Sequence, residues 1–295
     1  MSMTTHNIFF MFDTFKNRLE LTGTLTTVTA LRISAGRSTE PIGSDLPVIK
    51  DALGRPLIPG ASFKGALRSR LESFLRGIDP SLADDPANFT SSTRNNQVKA
   101  FKEQYKDNDL ALTEALIGIT DEVSRLFGSP WIASKFQVRD LTVLPDSWFG
   151  QYQERDGVAI DRDTETAADG KLYDYQVVPA GTPFEFKAVV ENAEEWELGL
   201  LMIGLHQFET EQIPLGGGRS RGLGVVKLEI NQIHWFDTED DPNRLLTYLQ
   251  NLIKGEMTTY QCSPERQNAL KQDWTDALIT HLRQKLSSLS KSEAN

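Results

Sequence analysis

The segment Ile42-Gly43-Ser44-Asp45-Leu46-Pro47-Val48-Ile49-Lys50-Asp51, followed by Pro59-Gly60-Ala61-Ser62-Phe63-Lys64-Gly65-Ala66-Leu67-Arg68, sets an acid in a glycine-flanked loop and then opens a basic helix. Phe63, Ala66, Leu67, Leu71, Phe74 and Leu75 recur at helical spacing and predict a helix from about Ser62 to Arg76. Ser62 is the expected N-cap and Gly77 the expected stop. Lys64 and Arg68 share the opposite face, where Arg68 also has Glu72 within reach. A helix N-terminus carrying these residues is a good anion site; a capped surface helix is the plainer alternative.

Upstream, Leu19, Leu21, Leu25, Leu31 and Ile33 fall on one face at period two and predict a long strand. Gly23 inside it marks a bulge or a close backbone approach. Downstream, residues 79–106 are polar and turn-rich, an insertion partly helical near Gln97 to Tyr105. Leu110 to Phe127 reads as helix and Phe136 to Leu144 as strand. Pro145 to Gly170 is strongly polar, with little to bury, and predicts a protruding hairpin. A strand (Val177 to Glu191), an apolar helix (Glu194 to Glu211) and a strand (Val225 to Ile230) follow, the last fed by a glycine-rich run. Two amphipathic helices near 245–253 and 264–286 close the chain.

The order strand, helix, strand, hairpin, strand, helix, strand predicts an α+β fold. It is the split β-α-β layout of ferredoxin-like, RRM-like type. The expected organisation is a core over 1–236, with a helical insertion at 77–135 and the hairpin at 145–177, then a helical extension over 237–295.

The chain has 295 residues, 39% hydrophobic, and a formal net charge of −10. That argues against a generic basic nucleic-acid binder but leaves room for a local cationic track. The single cysteine, Cys262, excludes an internal disulfide framework and fits a reducing cytoplasm. His6, His206, His234 and His281 are scattered without ligand spacing, so no structural metal is expected. The apolar run Ile8 to Phe12 is too short to anchor or export the chain.

The glycines at 216, 218 and 222 miss the spacing of a dinucleotide fingerprint and open a strand rather than a helix. Two readings stay open: a loop whose N–H groups and arginines Arg219 and Arg221 cradle phosphates, or a tight turn. A lone loop aspartate such as Asp45 is usually a turn former. Its alternative chemistry is to hold a divalent cation largely through water, or to take a proton from a ribose hydroxyl.

Ser44 to Asp51, Gly54 to Arg68, Leu126-Phe127-Gly128, Val158 to Arg162 with Val178 to Thr182, and Gly216 to Gly224 together resemble the RAMP superfamily of CRISPR effector proteins. They most resemble the backbone subunit of type III complexes, including the cyanobacterial-type (III-D) variant. Each motif is weak singly; their order from Leu19 to Ile230 is specific.

The resemblance implies CRISPR RNA (crRNA) binding through Gly60, Ser62, Lys64, Arg68, Gly217, Gly218, Arg219 and Arg221. It implies a hairpin "thumb" bearing Arg155, Ile160, Asp161 and Arg162 that wedges into the guide–target duplex. It implies metal-dependent cleavage of single-stranded target RNA at Asp45, with Mg2+ or another divalent cation not stably bound and the ribose 2′-hydroxyl as nucleophile. The implied partners are crRNA, target RNA, a large polymerase-like subunit and neighbouring RAMP subunits, with no membrane. Some members of the superfamily bind guide RNA without cutting, so a non-catalytic crRNA-binding subunit is the alternative.

Overall fold

The computed structural model describes residues 14–36, 45–160 and 167–293. Its elements run β1 (Asn17–Thr27), β2 (Leu57–Ile58), α1 (Gly60–Ile78), α2 (Ser92–Gln104), α3 (Asp109–Gly118), α4 (Glu122–Phe127), β3 (Phe136–Val138), β4 (Leu141–Thr142), β5 (Gln153–Ile160), β6 (Ala167–Val177), β7 (Pro183–Glu191), α5 (Glu195–Glu209), β8 (Val226–Asp237), α6 (Pro242–Lys254) and α7 (Pro264–Glu293). The main sheet has the order β3-β7-β1-β8 with all neighbours antiparallel. One β-α-β unit runs from β1 through α1 to β3, the other from β7 through α5 to β8. The two interleave, as the split layout requires.

Period-two burial builds the sheet: Leu19, Leu21 and Leu25 of β1 and Phe184, Phe186 and Ala188 of β7 all face the core. The β1–β8 register shifts between Thr22 and Gly23, and the Glu229 carbonyl lies where a Gly23 side chain would start. The glycine therefore marks both a bulge and a close approach. Helices α1 and α5 meet over the sheet, with the Phe63 ring 4.4 Å from Phe208 and 5.2 Å from Phe186.

Several boundaries differ from the sequence reading. Helix α1 begins at Gly60 with Pro59 as N-cap, so Ser62 lies in its first turn and Gly77 lies inside it. The reason is a distant cap: Asp140 Oδ1 accepts the Gly60 N–H at 2.8 Å. The stretch read as one helix to Phe127 is two, because Asp121 accepts the Ser124 N–H and starts α4 afresh.

The C-terminal region does not form a separate extension. Leu270, Trp274, Leu278 and Leu282 of α7 join the main core. Gly199 of α5 lets the Trp274 carbonyl approach so closely that any Cβ would collide. Helix α6 instead leaves Leu246, Leu249, Leu252 and Ile253 exposed. A buried ion pair, Lys135 to Glu197 at 2.6 Å, ties the entry of β3 to the first turn of α5. Burial raises the Glu197 carboxyl, and Lys135 opposes that. No helix among the described residues is long and apolar enough to cross a membrane.

Candidate nucleic-acid interface

Strands β5 and β6 pair with each other as an antiparallel ribbon in the expected hairpin position, apart from the main sheet. The Arg155 side chain is exposed on β5. The Ile160 backbone ends that strand; Asp161 and Arg162 lie outside the described residues. The ribbon is rooted in a small apolar cluster of Ala30, Tyr175, Val177 and Leu223, with Leu46 and Tyr173 packed against it. That cluster joins the hairpin, the Asp45 loop and the glycine-rich loop.

The hub is residues 30–35. Leu31 exchanges backbone hydrogen bonds with Val178, at 2.9 and 2.8 Å. Ala30 and Arg32 accept from Gly224 and Gly217, at 2.9 and 2.8 Å. The Ile49 N–H donates to Ile33 at 2.9 Å. Three motifs far apart in sequence therefore share one short segment as a docking strip.

Asp45 is exposed and lies against the hairpin. Its N–H donates to Asp174 Oδ1 at 2.9 Å, and the Asp174 N–H points back at Asp45 Oδ2 at 3.4 Å. Leu46 then pairs in parallel with Tyr175, and the Gln176 N–H donates to the Leu46 carbonyl at 3.1 Å. The acid thus sits immediately before an isolated parallel bridge to β6.

Tyr173 and Tyr175 share one face of β6, their rings 6.2 Å apart, while Asp174 between them points to the other. Each tyrosine carries an arginine. The Arg32 guanidinium sits 4.6 Å above the Tyr175 ring, and Arg221 Nη1 reaches the Tyr173 hydroxyl at 3.4 Å. Arg32 Nε is buried and has no hydrogen-bond partner among the described residues. Arg32, Tyr173, Asp174 and Tyr175 were missed by sequence reasoning, which saw no periodic signal in them.

The glycine-rich loop forms a tight turn with exposed arginines, and five of its N–H groups are spent within the protein. The N–H groups of Gly217, Arg221, Gly222, Leu223 and Gly224 all donate to protein carbonyls. Gly218 caps a single 3-10 turn, Arg219 to Arg221, from a left-handed conformation. Gly216 has φ +73°, and its missing side chain makes room for the Arg32 carbonyl. Arg219 and Arg221 remain exposed on the loop.

The helix-α1 ridge expected from Lys64 and Arg68 is not an open surface. Segment 124–136 covers that face of the helix. Lys64 Nζ donates to Ser134 Oγ at 2.6 Å and to the Phe136 carbonyl at 3.0 Å. Burial, with the nearby Arg68 charge, pushes the Lys64 amine down to about 8. Arg68 donates to Glu72 at 2.7 Å, Gly128 at 2.9 Å and Ser124 at 2.8 Å. The Gly60 N–H belongs to Asp140. These hydrogen bonds tie α1 to segment 124–136, whereas Arg219 and Arg221, beside the base of the hairpin, are exposed.

Among the described residues no group of three or more His, Cys, Asp or Glu is arranged to hold a metal ion. At the hairpin foot Asp45 offers an exposed carboxylate, while Asp174 Oδ1 is taken by the Asp45 N–H. A single hard oxygen donor fits magnesium only as an ion that keeps most of its waters and leans on substrate phosphates.

A family model described as the RAMP superfamily matches residues 24–227. The chain belongs to the RAMP superfamily. A relative from Enterococcus italicus, named CRISPR system Cms endoribonuclease Csm3, is 25% identical over 224 residues, covering 74% of this chain and 92% of the relative. A protein of the same name from Methanocaldococcus jannaschii is 28% identical over 221 residues, 72% and 79% of the two chains. One from Mycobacterium tuberculosis is 50% identical over a shorter stretch of 56 residues, 18% and 24% of the chains. The RAMP match ends before α6 and α7, so the core helix α7 is an addition to the matched unit.

Proposed function

We propose that this RAMP protein is a crRNA-binding backbone subunit of a type III CRISPR effector complex, and that it cuts complementary target RNA beside its thumb. One observation carries the reading: an exposed carboxylate, Asp45, is seated on the thumb strand β6. Named endoribonuclease relatives covering most of the chain support it. Arg32, Arg219 and Arg221 are assigned the guide phosphates, in place of Lys64 and Arg68.

The chemistry follows from what each residue can do. The hairpin wedge unstacks a base step, which frees the target ribose to adopt an in-line geometry. Positioning supplies much of the rate. Asp45 takes the proton of the 2′-hydroxyl as that oxygen attacks the adjacent phosphate; the P–O5′ bond breaks, leaving a 2′,3′-cyclic phosphate, and the departing 5′-oxygen takes a proton from water. Asp45 would hold a magnesium ion largely through water, and the ion when bound would supply charge neutralisation at the phosphate. Sequence is read by base pairing, with the protein gripping backbone.

The test is Asp45→Ala in the complex assembled with guide RNA, neighbouring RAMP subunits and the large subunit. Cutting at this subunit's position should fall at least ~100-fold, with guide and target binding retained. Undiminished cutting would leave only a structural crRNA-binding role. Arg219→Glu with Arg221→Glu should weaken guide binding and lower the salt slope by ~1.4, the value for two single-strand phosphate contacts.

A further inference from the structure

We infer that Asp174 is a positioning residue for cleavage: its side chain holds the Asp45 loop on the thumb strand. The inference deepens the nuclease reading above and rests on it. Asp174 is not in any of the motifs that carried the family resemblance, and its contact with Asp45 spans 129 residues.

The loop is held unevenly. On its C-terminal side the Leu46 carbonyl accepts from Gln176 at 3.1 Å, Pro47 accepts from Ala35 at 3.0 Å, and Ile49 donates to Ile33 at 2.9 Å. At Asp45 itself, the anchor among the described residues is Asp174. Its Oδ1 takes the Asp45 N–H at 2.9 Å, and its own N–H makes the longer return contact to Asp45 Oδ2 at 3.4 Å. The first contact fixes the backbone of the acid; the second orients its carboxylate.

The consequence is mechanical. The acid is hydrogen-bonded to β6, a strand of the thumb itself, so any shift of the thumb on seating in a duplex carries the acid with it. The distance from the unstacked step to Asp45 is then set through one strand and the Asp174 contact. A misplacement of about 1 Å between reacting groups costs on the order of 100-fold in rate. The anchor needs an acceptor oxygen, not a charge, and asparagine supplies one.

Two variants, Asp174→Ala and Asp174→Asn, separate this role from a charge effect. In the assembled complex Asp174→Ala should slow cutting at this position by ~10- to 100-fold, with target affinity unchanged. Asp174→Asn should restore most of the rate. Amide hydrogen exchange on the full chain gives a readout independent of activity. The Asp45 amide should exchange faster in Asp174→Ala and at the wild-type rate in Asp174→Asn. Wild-type exchange or wild-type cutting in Asp174→Ala would overturn the inference, as would equal loss in both variants. If Asp45→Ala cuts normally, the nuclease reading fails instead, and the exchange comparison still decides whether Asp174 holds the loop.

Discussion

Arg68→Ala separates the two roles that the sequence leaves open for helix α1. In the structure the guanidinium makes three hydrogen bonds, to Glu72, Gly128 and Ser124, at 2.7, 2.9 and 2.8 Å. Its side chain is 18% exposed and that of Glu72 only 5%. Removing it strips a donor from the Gly128 carbonyl and from Ser124, and half the neutralisation from a buried carboxylate. Breaking a buried ion pair from one side costs ~3–5 kcal/mol. Arg76 still reaches Glu72 Oε2 at 2.7 Å, which places the expected loss near the lower end, about 3 kcal/mol. For a domain of this size that is a fall in melting temperature of roughly 6–12 °C.

The assay is thermal and urea denaturation of the full chain, alongside the salt dependence of guide binding measured well below the melting temperature. Arg68→Lys keeps the charge but not the fork, so it should recover less than half of the loss. The salt slope should stay at its wild-type value, because Arg68 contacts no phosphate. An unchanged melting temperature combined with a slope reduced by ~0.7 would refute the reasoning. It would mean that Arg68 faces RNA and that the α1 ridge is real.

Three further outcomes are expected. Burial raises the Glu122 carboxyl, but hydrogen bonds from His281 and Lys285, with the charges of Arg125 and Lys285, more than reverse it and hold the group at about 2. Its folded value lies below the ordinary 4.5, so its contribution is complete above pH 4.5 and is lost as pH falls towards about 2. That contribution is about 3 kcal/mol, and urea midpoints from pH 6 to pH 3 should fall less steeply in Glu122→Gln; parallel profiles would exclude the link between α4 and α7. Trp274→Ala, at a site 2% exposed, should cost ~3–5 kcal/mol in urea denaturation, whereas a detachable C-terminal extension would lose almost nothing. Gly216→Ala should cost clearly more than Gly222→Ala: both have positive φ, but only Gly216 has a backbone carbonyl where the Cβ would go. Equal melting temperatures for the two would show that the loop is not pressed onto Arg32.

Features that leave a periodic or ordered trace along the chain are legible in the order of residues alone. Leucines at period two specify β1, the stripe from Phe63 to Leu75 specifies α1, and the alternating Phe184, Phe186 and Ala188 specify β7. The polar stretch after Pro145 announces a ribbon, and the order of motifs announces the superfamily. Burial against a common core imposes those patterns locally, so they can be read without coordinates.

Tertiary structure decided which charged groups are free to act. Lys64 and Arg68 look like a surface pair until segment 124–136, at a separation of 56–72 residues, arrives to take their hydrogen bonds. Asp45 looks like a turn former until Asp174 seats it on the thumb. Arg32 has no motif at all, and only the Tyr175 ring and a buried Nε unpartnered among the described residues single it out. Hydrogen bonding between side chains distant in sequence leaves no period to detect; whether a cation is spent inside the protein or left for a ligand depends on what the fold brings beside it.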